Sequence, residues 1–429
     1  MTWENPLLHI LSTPGALIQD LDDGFLLLTH LNINEIFGAA DPIANSAIDG
    51  AVKEAMDNLK AAFQILSHED AFQLFTPIFF DISPHRIKNF PYAWRIQRGN
   101  LTQLLESALS TESLPQLSWI PQNRESFEKD FQQIQTKIQT GQIDKAVVMT
   151  TEKSSWKPNN KERVLMLLNL LHSCPRHLYI YSHWDSQSGV IGATPEFLFY
   201  RQGATIQSMA LAGTLDKRKL SFYEPELVPE LAPDLTPKLD SMLAPESAAG
   251  SSANKQLSFQ QLQIDFIENE KELLEHQLVV DDLTEKLRQL TTQTSINPIK
   301  IIEYPHLFHL QTEIQAELSA IPSASDFDFT LAQKMHPSSA LGLRSQNIHW
   351  HWLKELNGHQ HINHFGAPVG VTLPGGFLCL VGIRNLEWDE NGSYLRAGCG
   401  IVSQSSIDNE WQELEAKRES VKSLLGLNS

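Results

Sequence analysis

The sequence predicts an α+β protein. Strand-like apolar runs, such as Phe25-Leu26-Leu27-Leu28-Thr29 and Ala146-Val147-Val148-Met149, alternate with long helical stretches. Proline and glycine punctuate several of the strand runs, as at Pro195 and Gly213. These two observations are compatible with the class; a third, a series of ordered motifs set out below, identifies it.

The chain has 429 residues, enough for one large or two ordinary domains, and its 41% hydrophobic and 20% charged content is ordinary for a globular protein. A formal charge of −18 argues against nucleic acid and anionic membrane surfaces as partners. An anionic small substrate would then need a local cluster of positive charge or a metal. Three cysteines, Cys174, Cys379 and Cys399, with no CxxC pair, fit a reducing cytoplasm. Met1 to Pro6 has no basic region leading into an apolar core, so no signal peptide is expected. No apolar run approaches the roughly 20 residues that span a bilayer.

Residues 1–115 mix strand runs with a helical stretch, Ala51 to Leu66, and read as a scaffold subdomain without catalytic spacing. Pro115 to Glu125 reads as a connector, and 120–429 as the core. Ser126 to Thr140 is an amphipathic helix, with Phe127, Phe131, Ile134 and Ile138 on one side. Ile143 to Thr150 is a buried-strand pattern with Lys145 at its start; alone, a lysine there reads as a solvated edge residue. Glu162 to Cys174 is helical and His177 to Tyr181 a strand. Pro195 then fixes the backbone before an apolar strand, and Glu196 opens that strand. A carboxyl beside apolar walls has a raised pKa and can serve as an acid; the plainer reading is an edge charge. Ala210 to Thr214 ends the next strand with a glycine turn.

From Glu226, proline recurs every fourth residue through Pro229, Pro233 and Pro237, which prevents helix and ladder alike. An extended insert is expected over 220–256. Ser258 to Gln293 reads as one long helix on which Glu272 and Glu275 sit three apart. Gln311 to Leu318 reads as a strand and Phe327 to Met335 as a helix, followed by His336-Pro337. Phe365 to Gly370 and Phe377 to Arg384 read as paired strands, with Arg384 ending an apolar run. After the glycine run Gly398-Cys399-Gly400, Ser405 or Ser406 caps a helix carrying Glu410, Glu413 and Lys417. Alone, that helix is a solvated face with an ion pair, a common surface arrangement.

Two helices thus each present a pair of glutamates. Facing each other, they would bring four carboxylates together, which calls for a hard cation such as Mg²⁺ with oxygen ligands. Arg384, Lys417 and the amides of a Gly398–Gly400 turn can bind a carboxylate. The pieces suggest chemistry on a small carboxylic acid.

The motifs also carry a resemblance. Ala193-Thr194-Pro195-Glu196, Ala212-Gly213-Thr214, Lys271-Glu272-x-x-Glu275-His276, His336-Pro337, Gly366-x-Pro368-Val369-Gly370, Ile383-Arg384, Ala397-Gly398-x-Gly400 and Glu410-Trp411-x-Glu413-x-x-x-Lys417 stand in the order found in the chorismate-binding enzymes. The chain resembles that family from about Glu125 to Gly426. The resemblance implies antiparallel sheets in a sandwich with helices outside, as in anthranilate synthase component I.

Within the family, aminating enzymes resemble one another in having glutamine where this chain has Lys145. Aminodeoxychorismate synthases carry a lysine where this chain has Ala212. Both positions imply water as nucleophile and no glutaminase partner. His336-Pro337 and the Glu410 to Lys417 tail are similar to isochorismate synthases of the menaquinone type, and the resemblance fits menaquinone or siderophore biosynthesis. Salicylate synthases, which add a pyruvate elimination, are the nearest alternative; a non-catalytic chorismate-binding protein is another.

The resemblance implies roles residue by residue. Mg²⁺ is held by Glu275 and Glu413, with Glu272 and Glu410 nearby or through water. Lys145 deprotonates a water that attacks C2 of chorismate, and Glu196 protonates the departing C4 hydroxyl. Arg384, Lys417, Gly398 and Gly400 hold the substrate carboxylates, Lys417 serving substrate rather than an ion pair. His336 and Thr214 orient the ring. The chain departs from the family at Phe365, where a tyrosine is usual, at Thr150, where an arginine is frequent, in Ser338 to Leu343, and in the length of its insert. A monomer or homodimer is expected.

Overall fold

The computed structural model of the chain describes residues 10–31, 63–66, 72–107, 109, 113–216, 263–303, 307–321 and 326–427. In chain order the first strands are β1 (Gly15–Gln19), β2 (Gly24–Thr29), β3 (Phe63–Ile65), β4 (Phe72–Phe75), β5 (Ile87–Phe90) and β6 (Tyr92–Gln97). Then come β7 (Lys145–Ser154), β8 (Tyr179–Trp184), β9 (Gly189–Thr194), β10 (Phe197–Gln202) and β11 (Thr205–Asp216). The rest are β12 (Gln293–Ile296), β13 (Lys300–Glu303), β14 (Leu307–Glu317), β15 (Leu343–Arg344), β16 (Pro368–Leu373), β17 (Gly376–Val381), β18 (Asn385–Asp389) and β19 (Gly392–Ile401). The helices are α1 (Arg98–Ser107), α2 (Arg124–Gln139), α3 (Asn160–Ser173), α4 (Glu270–Arg288), α5 (Asp326–Met335) and α6 (Ile407–Leu425).

Two large sheets result. One has the order β15-β7-β19-β18-β9-β8-β1-β2-β6-β3; the other runs β12-β14-β11-β10-β17-β16-β4-β5, with β13 also on β14. Every strand pairing among the described residues is antiparallel. The sheets face each other and share a core. Ala16, Ile18 and Leu28 of the first pack in one cluster with Val371, Leu378 and Leu380 of the second. Each such aliphatic side chain contributes about 1.5–3 kcal/mol by leaving water. On the outer face of the first sheet, Leu101, Val164, Leu170 and Val421 of α1, α3 and α6 cover Leu17, Phe25 and Ile180. The fold is α+β, with antiparallel sheets and helices outside.

The strands of the first 115 residues are not a separate layer. β1, β2, β3 and β6 extend the first sheet beyond β8, and β4 and β5 extend the second beyond β16. Residues 51–62 of the expected Ala51 to Leu66 helix lie outside the described residues. Its end is a strand instead, because Phe63–Ile65 pairs with β6. The insert at 220–256 also lies outside the described residues.

The long helix expected from Ser258 to Gln293 is shorter in its described part. α4 starts at Glu270, where the Asn269 side chain accepts from Glu272 N at 3.1 Å and so begins a new helix. It ends before Gln293, which pairs in β12. Two expected turns are strand. Gly213 sits at a bulge inside β11, where the register with β14 shifts between Ala212 and Thr214, with φ +78°. Gly398 and Gly400 lie within β19, opposite Met149 and Val147 of β7. At α6 the cap is Ser406, without a side-chain hydrogen bond, and Gly426 closes the helix at φ 73°.

No helix among the described residues is long and apolar enough to cross a membrane. α6 is tied to β7 by Arg418, whose Nε donates to Glu152 at 2.9 Å and whose Nη1 donates to Thr150 Oγ1 at 2.7 Å. The guanidinium beside Thr150 is thus supplied by α6. Arg418 is 1% exposed, so Arg418→Met is expected to cost about 1–3 kcal/mol by removing the buried donors of Glu152 and Thr150 and leaving Glu152 to Lys422 alone. Urea denaturation measures it, and a change below about 0.5 kcal/mol, the size of an ordinary surface substitution, would contradict the role.

Candidate active site

The two sheets and two helices meet at a cavity of about 60 Å³ that opens to solvent. β11 and the α4 packed on it bring Gly213, Thr214 and Glu275; β19 and the α6 packed on it bring Gly398, Gly400 and Lys417. Glu196 and Arg384 line it from the ends of β10 and β17, and Ala340, Leu341 and Phe365 form an apolar wall. Of the sequence-predicted residues, Glu196, Thr214, Glu275, Arg384, Gly398, Gly400 and Lys417 line it; Lys145 lies behind Gly400, Glu272, Glu410 and Glu413 line a neighbouring cavity, and one exception stands apart from both.

That exception is His336. It is not among the residues lining the cavity. Its ring lies edge-on to Phe79 at 5.0 Å, with Nε2 2.9 Å from the Phe79 carbonyl oxygen. Burial pushes its pKa down to about 3, so the ring is neutral and donates to that carbonyl. The loop after it turns Ala340 and Leu341 to the cavity instead. His336 thus packs on Phe79 and bonds its carbonyl, away from the cavity lining where a ring-orienting role was expected.

Lys145 is fully buried at the start of β7, behind Gly400. Its Nζ lies 3.1 Å from Glu275 Oε1, but without hydrogen-bond alignment. The glycine explains the approach. A Cβ on Gly400 would stand 2.1 Å from Glu275 Oε1 and 2.4 Å from Lys145 Cε. Glu196 is also buried, on the corner between β9 and β10, where its carbonyl accepts from Val381 N at 3.0 Å. Burial raises its carboxyl to about 8 against the pull of Lys145 and Lys417. It is therefore a protonated acid at neutral pH.

The four glutamates do come together, about lysines. Lys271 Nζ lies 3.1 Å from Glu272 Oε1, 3.5 Å from Glu275 Oε2 and 3.1 Å from Glu410 Oε1. Lys417 Nζ lies 2.6 Å from Glu413 Oε1 and donates to the Gly398 carbonyl at 2.8 Å. Lys417 therefore lines the cavity while ion-paired, which corrects the expectation that it serves substrate instead of an ion pair. Burial raises Glu275 and Glu413, but the facing lysines outweigh it and hold both below the usual carboxylate value. Burial lifts Glu272 to about 7 and Glu410 to about 8. The Thr214 amide donates to Glu272 Oε2 at 2.8 Å, fixing that carboxylate to the β11 bulge.

A hard divalent cation fits this donor set, which is all oxygen and buried. Glu410 is 1% exposed and neither of its oxygens has an aligned donor. With Lys271 in place, no three His, Cys, Asp or Glu side chains among the described residues stand in ligand geometry about one point.

Two cavity residues escaped the sequence reading. His309 of β14 lies 3.1 Å from Arg384 Nη2 through Nε2, and 2.9 Å from the Gly213 carbonyl through Nδ1. Burial, then Arg384 and Lys417, push its pKa well down. The neutral ring donates from Nδ1 and accepts the guanidinium at Nε2, so it aims Arg384 into the cavity. Arg384 itself is held at φ 55°. The second residue is Arg396, paired with Glu387. Nothing in the pattern separates His309 from the other 15 of the 16 histidines.

A family model for chorismate binding enzymes matches residues 96–423. The chain belongs to this family. Among its relatives it is 23% identical over 303 residues to anthranilate synthase component 1 of Aquifex aeolicus, covering 70% of this chain and 52% of that one. It is 29% identical over 248 residues to isochorismate synthase MenF of Pasteurella multocida, covering 57% and 48%. The chain thus spans about half the length of the curated relatives it matches. Two solved structures share the fold. The 2,3-dihydroxybenzoate-specific isochorismate synthase described as DhbC of Bacillus anthracis superposes with a TM-score of 0.66 at 20% identity, over 99% of this chain and 100% of that one. The menaquinone-specific MenF of Escherichia coli gives 0.64 at 18%, over 99% and 91%.

The two cavity glycines predict an ordering. Gly400→Ala forces the buried Glu275 and Lys145 side chains aside, whereas the nearest atom to a Cβ on Gly398 is Val147 Cγ1 at 3.0 Å. Gly400→Ala is expected to cost about 1–3 kcal/mol, the range for overpacking, and Gly398→Ala less. Paired thermal melts measure the difference; equal losses would contradict the close passage of Lys145 and Glu275.

Proposed function

We propose that this chain is an isochorismate synthase, an isomerase that converts chorismate to isochorismate with Mg²⁺. One observation carries the reading. A buried lysine, Lys145, directly behind the cavity residue Gly400, and a buried glutamate raised to about 8, Glu196, flank one cavity. That is the pairing a water addition needs: a group to take a proton and a group to give one. The names of several relatives support the same activity.

In this reading Lys145 takes the proton of the water attacking C2, and Glu196 delivers its proton to the oxygen leaving C4. The ring double bonds shift between the two events, and the proton held by Lys145 returns through solvent to Glu196. Arg384, aimed by His309, and Lys417 bind the substrate carboxylates. Thr214 contacts the ring oxygens, and Phe365, Leu341 and Ala340 exclude water from the apolar side. Gly398 and Gly400 line the cavity on the side of the ring carboxylate. Glu275 and Glu413, with Glu272 and Glu410 nearby or through water, would hold Mg²⁺, which would supply charge to neutralise and orient that carboxylate. A glutaminase subunit has no part, because no ammonia is used.

Incubation with chorismate and Mg²⁺, without ammonia, is expected to yield isochorismate by chromatography. Salicylate as the end product would point to the added lyase step, and turnover only with ammonia would contradict water as nucleophile. Lys145→Ala and Glu196→Gln are each expected to lower kcat by about 10²–10⁴, the worth of a positioned proton-transfer group. The pH profile carries a sign. Glu196 works protonated, so activity should fall as pH rises through about 8. A profile that rises through pH 8 would contradict the acid role.

A further inference from the structure

Lys271 is the group the proposed reaction does not use. It is the second residue of α4, and its side chain is 16% exposed. Its ammonium contacts glutamates of both helices: Glu272 and Glu275 on α4, Glu410 on α6. Beside it lies a second cavity, lined by Lys271 itself, Asp265, Asn269, Gln404 and Asn409. The flexible lysine stem has room there and finds polar and acidic groups.

We propose that Lys271 is an internal counter-ion: in the metal-free chain its ammonium holds the place among Glu272, Glu275 and Glu410 that the divalent cation takes, and it swings into the neighbouring cavity when the metal enters. The inference rests on the Mg²⁺ reading above. Its physical basis is charge balance. Without a cation at that point, carboxylates from two helices would face each other across a buried gap and force α4 and α6 apart. With the ammonium there, the cradle stays assembled, and metal binding becomes an exchange of one cation for another. Metal affinity is then set below what the carboxylates alone would give, because each binding event must eject the lysine.

The test is calorimetric titration of Mg²⁺ into chorismate-free protein, with melting temperatures taken with and without the metal. The proteins are wild type, Lys271→Met and Lys271→Arg. Lys271→Met is expected to melt several degrees lower without metal, to bind Mg²⁺ at least threefold tighter, and to gain more in melting temperature from Mg²⁺ than wild type. Lys271→Arg keeps the charge, so it is expected to melt near wild type without metal and to bind Mg²⁺ no tighter. It also serves if the methionine variant fails to fold: an arginine variant that binds Mg²⁺ more than threefold tighter overturns the exchange. Wild-type Mg²⁺ binding that is unchanged or weaker in Lys271→Met overturns it too. No Mg²⁺ binding by any of the three proteins overturns the metal assignment itself, and the exchange with it.

Discussion

The site depends on balanced buried charge. Glu272, Glu275, Glu410 and Glu413 are withdrawn from water, and Lys145, Lys271 and Lys417 stand against them at 2.6–3.5 Å. Removing one member of such a buried set leaves another uncompensated, at a cost of about 3–5 kcal/mol. The arrangement is therefore all or nothing, and it divides the glutamates. Those with two lysines in reach stay ionised, while Glu272 and Glu410 are lifted toward protonation.

The sandwich exists, in functional terms, to hold this balance. α4 rides on β11 and β14 of one sheet, and α6 on β19 of the other, so the two acidic helices approach from opposite layers. The shared core between the sheets fixes their separation. The backbone then makes room where charges cross. Gly400 lets Glu275 and Lys145 pass over β19, and the bulge at Gly213 turns the Thr214 amide to Glu272. Neutral His309 completes the set by turning Arg384 toward the cavity without adding charge.

Much of this was legible in the sequence because it is local or repeated. The helix read over Phe327 to Met335 begins one residue earlier, and the amphipathic helix over Ser126 to Thr140 runs from Arg124 to Gln139. The paired glutamates announced two faces that need a cation. What was missed depends on contacts distant in sequence. A glycine run reads as a turn until Glu275 is known to lie against it, and Gly213 reads as a strand end until β14 is seen to pair across the bulge. His336 looked functional in its motif, but its ring is drawn to the Phe79 carbonyl from the N-terminal segment. Lys271 was read only as part of a motif, since its role shows only when both helices surround it.

The central claim is that one cavity brings substrate between Lys145 and Glu196, with its ring carboxylate toward the glutamate cradle. The most direct measurement is a crystal structure of the Glu196→Gln variant with chorismate and Mg²⁺. The account predicts C2 facing Lys145, C4 facing position 196, and the cation contacting Glu275 and Glu413. A ring bound in any other cavity, or a cation bound away from both glutamates, would contradict it.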